Sequence, residues 1–134
     1  MNKLLILLLL VPSLSWGNHL DTKDELSIQN LIDESLTCFS FYLTTAEGFK
    51  RNDPNDSSGG IAKANQNAEL LINFATKFKE LAHIKEEAIM TKLKLINDNI
   101  QNDMDGHFSN FSIILDKYGQ SCANFVLAIE ELTK

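Results

Sequence analysis

Arginine is almost missing from this chain: Arg51 is the only one among 134 residues. Bidentate capture of phosphate or carboxylate groups therefore has little material to work with. Basic charge is scarce as a whole, with 12 Lys+Arg against 18 Asp+Glu and a net charge of −6. A nucleic acid needs clustered cations to displace its counterions, and an anionic membrane surface needs them too. Both partner classes are disfavoured.

Long apolar runs are also lacking. The longest, Leu4 to Val11, is far short of the roughly 20 residues that cross a bilayer, so no membrane span is expected. Catalytic spacings are missing as well. The chain contains no Gly-x-Ser-x-Gly, no phosphate-binding loop and no Cys–His nucleophile pairing, which points to a non-enzymatic protein. Without Cys-x-x-Cys-His, covalent haem attachment is excluded, and Met104 has no evident second axial ligand for a b-type haem.

Histidines are few and badly spaced for a metal. His19, His83 and His107 fall in a leader and two turns, with no His-x3-His or Glu-x-x-His on one helix. Asn102 to Gly106 has the look of a calcium loop, but placing Gly106 sixth puts Gln101 first and Ser112 twelfth, where acidic ligands are needed. No metal or cofactor is expected.

What is present begins with an export signal. Lys3 supplies a positive start, Leu4 to Val11 the apolar core, and Ser15-Trp16-Gly17 small residues for cleavage after Gly17. Residues 1–17 read as a signal peptide and residues 18–134 as a single helical domain, periplasmic or secreted. Two cysteines in an exported chain are most simply one disulfide, so Cys38 and Cys122 are expected to pair.

Thr22-Lys23-Asp24-Glu25 forms a capping box for a first helix. Its apolar face runs through Ile28, Leu31, Ile32, Phe39, Tyr42, Leu43, Ala46 and Phe49, interrupted at Ser35, with Cys38 at the edge. Asn52 to Gly60 is a loop by composition, with Ser57 or Ser58 as the next cap. A second helix from Ile61 carries Ala64, Ala68, Leu71, Ala75, Phe78 and Ala82 on one face. One helix from Ile61 to Asp105 would be about 67 Å long, too long for a domain of this size. A turn is therefore placed near His83–Lys85. A third helix then shows Ala88, Ile89, Leu93, Ile96, Ile100 and Met104, and Asp105-Gly106 ends it.

The fourth helix carries Phe108, Phe111, Leu115, Tyr118, Cys122, Phe125, Ile129 and Leu132, an a/d heptad with the look of a coiled-coil seam. Gly119 inside it costs about 1 kcal/mol relative to alanine, which calls first for close approach of a neighbouring helix, with a kink or local break second and a ligand contact third. Four helices with short loops predict an up-down-up-down four-helix bundle. In that bundle Cys38 and Cys122 stand at matching levels of the first and fourth helices, as a disulfide requires.

Function is expected to be protein–protein contact, through an unknown partner or by self-association. The alternative is a periplasmic carrier holding a small apolar ligand or a metal between helices.

Overall fold

The computed structural model describes residues 22–133, with side chains from Ser27 to Thr133. The signal peptide, its cleavage point and His19 lie outside the described residues, as do the side chains of the Thr22–Glu25 capping box. Four α-helices make up the described chain: α1 (Thr22–Asn52), α2 (Gly60–Leu81), α3 (Glu86–Asp103) and α4 (Phe111–Leu132). A single 3₁₀ turn, Phe108–Asn110, leads into α4.

α1 is the hub. Its largest interface is with α2, and it also meets α3 and α4. Its middle is covered nearly all round: Ile28, Leu31, Ile32, Leu36, Cys38, Phe41 and Tyr42 are buried, and so are Ser35, Ser40, Thr44 and Thr45. Burying so many hydroxyls is tolerable only if they are hydrogen-bonded. Ser35 Oγ donates to the Leu31 carbonyl at 2.8 Å and Thr44 Oγ1 to the Ser40 carbonyl at 2.9 Å. These bonds, four residues back along the helix, make a polar-looking stretch fit for a core. Leu43, which spacing places on the apolar face, is instead 45% exposed.

α2 lays Ala64, Ala68, Leu71, Phe74, Ala75 and Phe78 against α1, with alanines where the helices come close. Its first turn is capped by a residue other than the serines expected. Asp56 accepts from the amides of Ile61 at 2.8 Å and Ala62 at 3.1 Å, while Ser58 Oγ accepts only from Gly60 at 3.3 Å. A carboxylate satisfies two orphan amides and opposes the helix dipole, which one hydroxyl cannot do. The turn at His83–Lys85 is present, with His83 in the left-handed region at φ 56°. α3 sits lightly on the rest: only Ile89 and Ile100 within it are buried, while Ala88, Met90 and Leu95 are exposed. Gly106 follows at φ 69°, the conformation that its lack of Cβ permits.

α4 departs from the heptad. Its buried residues are Phe111, Ile114, Cys122, Phe125, Val126, Ala128 and Ile129, whereas Leu115 and Leu132 are 36% and 38% exposed. The coiled-coil seam is not kept, because a straight helix with 3.6 residues per turn drifts about 20° per heptad away from a 3.5 repeat. Phe111, Ile114, Tyr118, Cys122, Phe125 and Ile129 follow that drift. Cys38 and Cys122 stand at disulfide distance with Cα atoms 5.3 Å apart, joining α1 to α4.

Gly119 is not the point of closest approach. A Cβ there would meet only Phe41 Cζ, at 4.0 Å. The tight contact is at Gly48, where a Cβ would lie 2.9 Å from the Phe111 ring. Gly48 lets that ring cross α1 and meet Phe49 edge-on, with centroids 5.8 Å apart. Gly119→Ala should therefore raise stability by about 0.5–1 kcal/mol through helix propensity. Urea unfolding checks this, and a loss of more than about 1 kcal/mol would restore tight packing at the position.

Candidate functional site

The longest-range polar contacts tie elements together at the surface. Asp103 Oδ2, at the end of α3, accepts from Tyr118 Oη at 2.7 Å and Lys117 Nζ at 2.9 Å on α4. The Tyr118 hydroxyl first, and the Lys117 ammonium second, hold the Asp103 carboxyl below its ordinary value. Lys92 pairs with Asp33 at 2.8 Å and Lys79 with Glu86, linking α3 to α1 and α2. These are exposed ion pairs that orient helices, each contributing little energy. The lone Arg51 lies 4.1 Å over the Phe108 ring, so it too is committed to a structural contact.

Among the described residues no three His, Cys, Asp or Glu side chains come together as a metal site would need. His83 and His107 stand in separate turns at the two ends of α3. No described helix is long and apolar enough to cross a membrane.

The distinctive place lies between α1, α2 and α4. Phe41, Tyr42, Thr45 and Phe49 of α1, Gly60, Lys63, Ala64 and Asn67 of α2, and Leu115 with Gly119 of α4 line a groove of about 240 Å³. The local sequence explains the opening. Gly119 and Ala64 put no bulk into the space, and Gly60 leaves room for the Phe49 ring, which a Cβ would approach to 2.9 Å. The wall is mostly apolar and aromatic, with Phe41 and Tyr42 edge-to-face at 5.0 Å.

Two polar atoms of residues along this groove have no partner. Thr45 Oγ1 and Asn67 Oδ1 are buried and make no hydrogen bond; their residues are only 4% and 7% exposed. Thr45 is unusual for a hydroxyl on these helices. Ser35, Thr37, Thr44, Thr76 and Thr91 each bond the carbonyl four residues back, and Thr45 does not. The Asn67 side chain lies near the Tyr42 hydroxyl. Burial pushes the Tyr42 hydroxyl up, the Asn67 side chain opposes that shift, and the charge of Glu130 adds to it. Buried polar atoms without partners are rare, and neither of these two presents surface to the groove.

A second cavity of about 260 Å³ lies between α1, α2 and α3, lined by Phe39, Ile72, Met90 and Leu93. It carries none of the unpaired polar atoms.

No family model, curated protein or solved structure matches this chain. The groove must be read from its own chemistry.

Sequence reasoning brought Cys38 and Cys122 together, and the structure does the same. It did not find the groove. Asn67 had a signal: it stands three residues after Ala64 and four before Leu71, within the face assigned to the core. Thr45 had none, because hydroxyls on a helix usually satisfy themselves.

Proposed function

We propose that this protein is an exported, non-enzymatic helical module that holds a small apolar molecule in the groove between α1, α2 and α4. The observation that carries the reading is the groove's wall, built almost wholly from Phe41, Tyr42, Phe49, Ala64 and Leu115. Ligand sites are concave and mostly apolar in lining. The frame we propose around it is an up-down-up-down bundle. In its support, Phe49 meets Gly60 while Tyr42 meets Asn67, Phe111 meets Gly48 while Cys122 meets Cys38, and Lys92 meets Asp33. Export past Gly17 would deliver the chain to an oxidising compartment where the Cys38–Cys122 bond persists.

Amide NMR of the oxidised protein titrated with toluene tests the groove. Shifts should concentrate at residues 41–49, 60–67 and 115–119, and Gly119→Leu, which fills the opening, should abolish them. Shifts scattered over the surface, or none at millimolar toluene, would remove the ligand-holding function.

A second reading is docking of a protein partner or of a second copy. It is favoured by Met90, Leu95 and Leu127, which are 57%, 62% and 56% exposed.

A further inference from the structure

We infer that the groove takes a small aromatic acid, its ring lying among Phe41, Tyr42 and Phe49 and its carboxylate held at the rim by Lys63. The inference rests on the groove-binding function proposed above and adds one charged end to the apolar molecule.

Lys63 is a cation without a counter-charge. A lysine on a helix can pair with an acid three or four residues away, but those places hold Gly59, Gly60, Gln66 and Asn67. Arg51 pairs with Glu47, Lys79 with Glu86, Lys92 with Asp33, Lys94 with Asp98 and Lys117 with Asp103, while Lys63 makes no ion pair or side-chain hydrogen bond. Lys50, Lys77 and Lys85 are unpaired too, but none of them lines this groove. Among the described residues that do line it, Lys63 is the single charged one and no carboxylate is present. The other hollows differ. Lys79 and Glu86 meet each other in the cavity beneath α3, and Lys50 shares its hollow at the α1–α2 loop with Glu47 and Asp56.

The groove is therefore apolar along its wall and positive at one place. A volume of about 240 Å³ lies below the roughly 300–1,000 Å³ of sites for drug-sized molecules, which suits one ring with a short arm. Phe41, Tyr42 and Phe49 offer ring faces and edges that pair favourably with another aromatic ring. Lys63 is exposed, so a carboxylate beside it keeps much of its water while the ring leaves water for the groove. An ammonium serves one carboxylate as a point charge and needs no bidentate fork. The nearby acids also fix the direction. Asp56 spends its carboxylate on the amides of Ile61 and Ala62, and the charge of Glu130 is felt at Tyr42, beside Asn67 and one helical turn beyond Lys63. The acid end belongs at Lys63 and the ring towards Tyr42.

Phenylacetate and phenylacetamide separate the cases, since they share ring, arm and shape and differ in charge. Calorimetric or NMR titration of the oxidised protein at neutral pH and low salt should show phenylacetate binding about two- to fivefold tighter, the factor an exposed ion pair supplies. The net charge of −6 repels anions in general, so that preference reports a local cation. Salt at about 1 M, where charges are screened within ~3 Å, should erase it. Lys63→Met keeps an unbranched stem and a good helix former at an exposed position, and should bring phenylacetate to the affinity of phenylacetamide. Gly119→Leu should abolish binding of both.

If neither compound binds, or if Gly119→Leu leaves both affinities unchanged, the groove-binding function itself falls. Equal affinities, or a preference for the amide, keep that function and overturn the acid. A preference for phenylacetate that survives in Lys63→Met sends the carboxylate elsewhere and also overturns it.

Discussion

Replacing Cys38 and Cys122 together by alanine is expected to lower the unfolding free energy by about 4–5 kcal/mol. The two residues are 84 apart in sequence, and a link across so long a loop removes many conformations from the unfolded chain. The same link costs the native state little, because its Cα atoms are already 5.3 Å apart across two packed helices. Both residues are essentially buried, at 2% and 1% exposure. Alanine is the better replacement, since serine would bring an unpaired hydroxyl into the core and confuse the comparison. A domain of this kind has about 5–15 kcal/mol of stability in all, so the variant would stand near the limit of folding. Urea unfolding of native and variant protein measures the difference. A change below about 1 kcal/mol would mean that the link does not form in the native protein.

Phe125→Ala is expected to cost about 3–5 kcal/mol, and Leu115→Ala under about 1 kcal/mol. The heptad on α4 gives these two positions equal standing. Their surroundings do not. Phe125 is 1% exposed, and its ring meets the edge of Phe74 on α2 with centroids 6.1 Å apart. Phe74 in turn packs at a tilt against Phe78 with centroids 4.6 Å apart, so truncation opens a cavity beside two rings that cannot both collapse into it. Leu115 is 36% exposed at the lip of the groove. Unfolding in urea with the disulfide intact compares the two variants. Equal losses would reinstate the seam.

Breaks and helix identities were legible because they rest on local chemistry. Asn52 to Gly60 and Asp105-Gly106 disfavour helical backbone whatever packs around them, and the acidic Glu86-Glu87 pair suits the start of a helix. The cysteine pairing was legible because mid-helix level is a matter of counting. What stayed hidden depends on neighbours. Ser35, Ser40, Thr44 and Thr45 look like a solvated side until their helix proves to be surrounded. Only then does bonding back to the helix, or its failure at Thr45, become the controlling fact. Gly119 advertised an unusual requirement without its sign, since a missing Cβ can admit a helix or leave a space. On α4 the 3.5 and 3.6 periods share Phe111, Tyr118, Cys122 and Phe125, and they differ only at positions such as Ile114 and Leu115. A single sequence cannot choose between them there.

The shallow seating of α3 has a consequence for how the molecule breathes. Within it only Ile89 and Ile100 are buried, Leu93 and Ile96 pack half-exposed against the core, and ion pairs at the surface add the rest, so releasing it sacrifices less apolar contact than releasing α1 would. α1, α2 and α4 share the aromatic core, and the cysteine link holds two of them together even when contacts loosen. Amide hydrogens of α3 therefore exchange through a low-energy partial opening, while those at the centre of α1 wait for the whole chain to come apart. The groove belongs to the slow half, so its wall persists while the far side of the protein opens and closes.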